Sequence, residues 1–344
     1  MATSSKIAVL AAVAGNTTLT LAKFAVFFVT GSGAMFSEAI HSLADTGNQA
    51  LLYLGIRKSE RPADALFHYG YGGERFLYAL LSAIGIFVLG CGFTVYHAIH
   101  DLLDPPRIVF SWWSVAVLSV AFVVEGSVLL LALRAIRARL APGERLWAHL
   151  RTTRDPTVAA VLLEDSVACL GVVVAGAAMG LSVWTNDPVY DALGALLIGG
   201  MLGGVAVFLG VRNRELLLGP ALDEATRRQV VVLIEADPAV ASVRSTRSRV
   251  LGSDRFRIYA DVVYDGAELG RRALARIEAE GRRLDCASEA GRRAAAEALG
   301  RAVVDAMAEA NDRLEDALRA RFPGLVALES EAEVRSLESG GAGR

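Results

Sequence analysis

Cysteine, histidine and lysine are all scarce in this chain, and each scarcity excludes something. The three cysteines in 344 residues, Cys91, Cys169 and Cys286, are far apart. They form neither a disulfide framework nor a Cys-x-x-Cys metal pattern, so they read as buried thiols. The five histidines are His41, His68, His97, His100 and His149, and none follows position 149. The last third of the chain therefore cannot build a histidine-based metal centre. Lysine occurs only at Lys6, Lys23 and Lys58 among many arginines. Thirty-five basic residues face thirty-seven acidic ones, a net charge of −2, so no polyanionic partner such as nucleic acid is indicated. No nucleophile–base pair or cofactor motif is visible, which argues against an enzyme and against an organic cofactor.

What the chain has in plenty is apolar residues, 53% of the total, too many for an ordinary soluble protein. Six stretches are long enough to cross about 30 Å of hydrocarbon at about 1.5 Å per residue. They fall near 7–30, 34–56, 76–102, 112–134, 157–182 and 190–211. The Ala12-Val13-Ala14 sequence resembles a cleavage site, but hydrophobicity runs on to Val29, so an uncleaved first span is expected. Arginines 57, 61, 75, 134, 137, 139, 145, 151, 154, 212 and 214, with Lys6 and Lys58, sort to one side, and the opposite loops carry only Arg107. The positive-inside rule then puts both termini in the cytoplasm. With no Arg-rich presequence in view, a bacterial inner (plasma) membrane is the expected location.

Beyond about residue 213 the composition changes to Arg, Glu and Ala. Asp223 to Ala236 reads as a capped amphipathic helix stopped by Asp237-Pro238. Val240–Val250 and Arg255–Tyr264 read as strands, and Gly270–Arg321 as mostly helical with a break near Cys286. Leu325–Leu328 is a candidate third strand. The expected domains are thus a six-helix transport domain over 1–212 and a compact α+β module over 213–330, with a disordered tail at 331–344.

The polar residues inside the spans carry the chemistry. Ser37-Glu38-Ala39-Ile40-His41-Ser42-Leu43-Ala44-Asp45 places His41 and Asp45 four apart, on one helix face, where both can reach one divalent ion. Asp165 in the fifth span supplies a further oxygen ligand. Val161, four residues before it, cannot ligate, so a fourth position falls to Glu164, water or another helix. Neighbours on a helix diverge by about 100°, which leaves Glu164 either a ligand or a proton group facing a neighbouring helix. Glu38, Lys23, Glu125 and Asp191 are candidate pathway or proton-coupling residues, with Lys23 expected to balance Glu125 or another buried acid. His97 and His100 read as polar residues at a span end, His149 as an interfacial anchor, and His68 as a loop-positioning or peripheral metal residue.

At these residues the chain resembles the cation diffusion facilitator family, and within it the zinc transporter 9 subgroup. The matching pieces run from Ser37–Asp45 through His68-Tyr69-Gly70-Tyr71-Gly72, Glu125-Gly126 and Leu162-Leu163-Glu164-Asp165-Ser166. Asp187-Pro188-Val189-Tyr190-Asp191, Leu218-Gly219-Pro220 and Asn311–Leu318 complete them in order. The resemblance implies a six-helix membrane domain, a cytoplasmic ferredoxin-like domain and a homodimer. It also implies a divalent-metal/proton antiporter, Zn²⁺ being the transported ion, with His41, Asp45 and Asp165 as ligands. The family's usual histidine falls on Val161, and the subgroup's Glu-Asp form suggests Glu164 in its place. One histidine among carboxylates also suits Mn²⁺ or Fe²⁺. A membrane-anchored regulatory or scaffold protein that kept the fold without transport is the alternative of another class.

Overall fold

The structure is a computed structural model that describes residues 2–106, 111–138, 140, 145–147, 150, 156–281, 284 and 286–333, with the side chains of 2–15, 135 and 156–159 left aside. Arg107, Arg139, His149, Arg151, Arg154 and the tail from 334 lie outside the described residues, as does the side chain of Lys6. The chain divides into two compact units, Met1–Leu218 and Gly219–Arg344.

The first unit is all helical. Helices α1 (Ala2–Thr30) and α2 (Gly33–Ser59) are joined by a tight turn in which Gly31 has φ of 68°. Ser32 caps α2, its Oγ accepting from the Met35 amide at 3.1 Å. The third apolar stretch is one continuous span made of α3 (Glu74–Gly85), a π-helical segment (Ile86–Phe93) and α4 (Thr94–Leu103). Helices α5 (Trp112–Arg137), α6 (Pro156–Thr185) and α7 (Val189–Leu218) follow. Among the described residues four helical segments are both long and apolar enough to cross a membrane: Glu74–Leu103, Trp112–Arg134, Ala160–Thr185 and Val189–Leu218. Helix α2 has the length, at 27 residues, but it spends its interior turns on Glu38, His41, Asp45 and Asn48. A buried apolar cluster including Met35, Leu52, Ile86, Leu118, Val172, Ile198 and Leu202 binds the helices together.

The second unit is a small mixed sheet covered by helices. Helix α8 (Glu224–Glu235) is capped by Asp223, whose carboxylate accepts from the Thr226 amide at 2.8 Å. Strands β1 (Val240–Gly252) and β2 (Arg255–Tyr264) form an antiparallel hairpin, and β3 (Leu325–Glu333) adds to β2 in parallel, in the order β1-β2-β3. Phe256, Ile258, Ala260 and Val262 all bury their side chains on alternate positions of β2. Helices α9 (Gly266–Ala279) and α10 (Glu289–Arg321) pack on each other through Leu269, Ala273, Ile277, Ala302 and Ala306. β3 continues to Glu333, three residues into the stretch expected to be a disordered tail, because Glu331, Ala332 and Glu333 pair with Asp261, Val262 and Val263.

Candidate metal centre

Four helices of the first unit enclose a small polar cavity. Its lining comes from α1 (Asn16, Leu19), α2 (Ser42, Asp45, Gln49), α5 (Val124, Glu125, Val128) and α6 (Asp165, Ala168). The volume is about 50 Å³. That holds an ion with a few waters, whereas pockets for organic ligands run to about 300 Å³ and more. Six of the lining side chains offer oxygen: Asn16, Ser42, Asp45, Gln49, Glu125 and Asp165. The amide of Asn16 donates to Gln49 Oε1 at 3.2 Å across this lining.

The helical repeat brings His41 and Asp45 together, His41 Nε2 lying 3.3 Å from Asp45 Oδ2. His41 is buried and Asp45 is nearly so. Neither ring nitrogen of His41 has a hydrogen-bond partner among the described residues, and Asp165 Oδ2 likewise has none. Such atoms are costly to bury unpaired, which marks them as donors held ready for something other than protein.

Glu164 is turned elsewhere. Its Oε2 accepts from the Asn48 amide, and Asn48 Oδ1 in turn accepts from Ser82 Oγ, a network linking α6, α2 and α3. Glu164 Oε1 has no partner among the described residues. The 100° step between adjacent helical residues is what separates Glu164 from the cavity that Asp165 lines. Among the described residues, no three His, Cys, Asp or Glu side chains close around one point in metal-binding geometry.

Beside the cavity sits a charged hub. Lys23 Nζ donates to Glu38 Oε2 at 2.9 Å, to Ser42 Oγ at 2.8 Å and to Glu125 Oε1 at 2.9 Å. All three ammonium donors are thereby used, and the lysine is wholly buried. Gly171 leaves room for Glu38 in this position, since a Cβ there would lie 2.3 Å from Glu38 Oε1 and the carboxylate would have to shift. Asp191 stands apart from this hub, at the start of α2: it accepts from Ser32 Oγ at 2.8 Å and from the Ala34 amide at 3.1 Å. It serves as a second cap on that helix. Ser42, Ser82 and Gly171 were not singled out by sequence reasoning. The regular spacing of Glu38, Ser42, Asp45 and Gln49 along one side of α2 is the signal that could have found Ser42.

Long apolar helices around a carboxylate-lined cavity make this unit a helical membrane domain, and the comparison with known families gives it a place. The model of the cation efflux transmembrane domain matches residues 9–218, and the chain belongs to that family. It is 37% identical over 306 residues to the mouse protein named proton-coupled zinc antiporter SLC30A9, mitochondrial, covering 88% of this chain and 54% of the relative. Identity to the human protein of that name is 40% over 253 residues, 73% of this chain and 44% of the relative. Metal tolerance protein C4 of Arabidopsis thaliana is 33% identical over 321 residues, 90% of this chain and 69% of that protein. The chain thus spans about half the length of the mammalian relatives, 54% and 44%.

Those mammalian names overturn one expectation. They are designated mitochondrial, so the bacterial inner-membrane location read from the sequence does not stand, nor does the cytoplasmic placement of both termini that went with it. The physical reason is that span hydropathy and arginine asymmetry set depth and orientation in whatever membrane receives the chain. They carry no information on which membrane that is, because addresses are read by receptors.

Proposed function

We propose that the chain is a proton-coupled transporter of a divalent cation, Zn²⁺, moving it out of the compartment that the C-terminal unit faces, with a mitochondrial membrane as its setting. The observation that carries this reading is the 50 Å³ cavity walled by Asp45, Asp165 and Glu125 between four helices. Its size and donors suit an ion and nothing larger. His41, Asp45 and Asp165 are the proposed ligands, each of which binds metal only when deprotonated, so that loading displaces protons. Glu164, with Oε1 unpaired, is the proposed fourth ligand, brought in when Asn48 and Ser82 release it. Rocking of the bundle about this midplane site would expose it to either side in turn. Six membrane spans, a ferredoxin-like C-terminal domain with the division near residue 212, and assembly as a homodimer complete the reading. It is supported by family membership and by the names of the relatives.

A second reading of the cargo has its own support. The cavity presents oxygen donors only, which favours the harder ions Mn²⁺ and Fe²⁺ over Zn²⁺. A scaffold without transport would have no use for unpaired carboxylate oxygens at membrane depth, and apolar replacements would be cheaper. The test is ion uptake by the purified full chain in proteoliposomes, with and without a pH gradient. Zn²⁺ uptake that accelerates with an opposing proton gradient is expected. Uptake of Mn²⁺ alone would shift the cargo, and no uptake of any divalent ion would defeat the reading.

A further inference from the structure

A second cluster of ionisable groups lies at the other end of α2 from Arg57 and Lys58, around its N-terminus. Asp101 of α4 is buried there, and its Oδ2 has no hydrogen-bond partner among the described residues. His97, one turn earlier on α4, brings Nε2 to 3.7 Å from that same oxygen, and this nitrogen is also without a hydrogen-bond partner among the described residues. His100 Nδ1 lies 3.7 Å from the other oxygen of Asp101 and is more than half exposed. From α7, Asp191 occupies the same end of α2, held by Ser32 Oγ and the Ala34 amide. From α1 and α2 the neighbours are rings, Phe27 and Phe36, packed on His97 with centroids 5.8 and 4.2 Å away.

The close approach is built in at residue 33. A Cβ on Gly33 would sit 2.6 Å from Asp101 Oδ2, which would have to shift, and in ordinary contact 3.6 Å from Asp191 Oδ2, so the glycine lets Asp101 in its present position approach the first turn of the helix beside Asp191. One of them, Asp191, is already spent on capping. Asp101 Oδ2 takes no amide among the described residues in return for its burial. A buried carboxylate oxygen without a hydrogen-bond partner, beside a second acid, is a place where a proton on it or on the imidazole facing it relieves the unpaired charge. The positive end of α2 pulls the other way, toward the ionised form. The carboxyl and the imidazole facing it at 3.7 Å can share one proton, and its presence or absence changes the charge set against the first turn of α2. His41 lies about 12 Å along the same rigid helix at 1.5 Å per residue.

We propose that Asp101 and His97, facing Asp191 across the N-terminus of α2, form a proton-binding site separate from the metal cavity, through which protons act on the helix that carries His41 and Asp45. The exposed His100 gives this site its edge toward solvent. The part that concerns coupling rests on the transport reading above. The binding of the proton itself does not.

The experiment uses the full chain and two substitutions, Asp101→Asn and His97→Gln, with two readouts. In the purified protein, infrared difference spectra over a pH titration should contain a protonated-carboxyl C=O band that Asp101→Asn removes and His97→Gln moves in pH. In proteoliposomes, both variants should bind Zn²⁺ within about threefold of the parent while the response of uptake to pH on the side of the α2 N-terminus flattens from about tenfold to about twofold or less. A band unchanged in both variants overturns the proposal, as does a pH response unchanged in both. A parent protein that carries the band but moves no ion defeats the transport reading and leaves the proton site standing. If Asp101→Asn does not fold, His97→Gln alone decides, because it leaves the carboxyl in place and must still move the band.

Discussion

Two groups of buried charge sit side by side in the helical unit, and they are finished to different degrees. Around Lys23 each ammonium proton has an acceptor, and the two glutamates come from different helices, α2 and α5, each keeping its second oxygen unpaired among the described residues. A few ångströms of helix further on, His41 has neither nitrogen hydrogen-bonded, and Asp165 and Glu164 each keep an oxygen unpaired among the described residues. The contrast is between carboxylates that have a buried cation beside them and carboxylates that have none. In a low-dielectric interior a carboxylate with its counter-charge survives burial, whereas one without persists only if something else neutralises it.

The comparison can be broken most severely on its incomplete side. Asp45→Ala should reduce Zn²⁺ transport about 100-fold or more, since one charged ligand of a partly hydrated ion is gone. Detergent thermal melts should move little, because the carboxylate is partly exposed and the ion contact it gives up is the 3.3 Å approach to His41. Wild-type uptake by a well-folded Asp45→Ala protein would relocate the site.

On the finished side the order of effects should reverse, stability first. Lys23→Met strands Glu38 and Glu125 without their counter-charge, a loss of about 3–5 kcal/mol for a broken buried pair. The triple change Lys23→Met, Glu38→Gln, Glu125→Gln should recover most of it. A melting temperature unaffected by Lys23→Met alone would mean the hub is not structural.

Glu164 stands between the two groups and sharpens the distinction. Glu164→Gln keeps its hydrogen bond to Asn48 but removes a ligand charge, so Zn²⁺ affinity should fall about 10–100-fold by calorimetry. Val161→His in that background should restore part of the loss by re-creating a ligand pair four residues apart with Asp165. Unchanged affinity in Glu164→Gln would assign the residue to the network with Asn48 and Ser82 only.

The smallest effect lies in the C-terminal unit, where charge pairs are exposed. Burial pushes the Asp237 carboxyl up, but hydrogen bonds from Arg313, at 2.9 and 3.3 Å, and from the Ala239 amide outweigh it and hold it below the usual range. A lowered carboxyl stabilises above the unfolded pKa, near 4, and that contribution disappears as pH falls through the lower folded value. Arg313→Ala should therefore cost on the order of 0.5 kcal/mol at neutral pH and nothing in strong acid, read as a narrowing gap between acid melting curves.

Much of the local structure was legible in the residues. Asp223 announced the start of α8 and Asp237-Pro238 its end, the alternation in β2 named its buried face, and the sign of Lys23 named Glu125 as a partner. These are short-range or single-charge facts, and a one-dimensional pattern holds them. The π-helical segment at Ile86–Phe93 carries no such pattern, because one extra residue per turn leaves an apolar run looking as apolar as before. The expected end of the ordered chain missed Glu331–Glu333 because a strand with polar residues on both faces is recruited by its neighbour and not by its own composition.

The sequence by itself determined the depth-seeking helices, the family, and the set of ionisable residues from which any site must be drawn, because hydropathy and residue chemistry are properties of the chain alone. Only the tertiary structure decided how that set is divided. It gave Glu38 and Ser42 to Lys23, Glu164 to Asn48 and Asp191 to the start of α2, shared Glu125 between Lys23 and the cavity, and left Asp45 and Asp165 on that 50 Å³ cavity. Which of two neighbouring carboxylates faces the cavity depends on a rotation of about 100° and on the side chains of other helices.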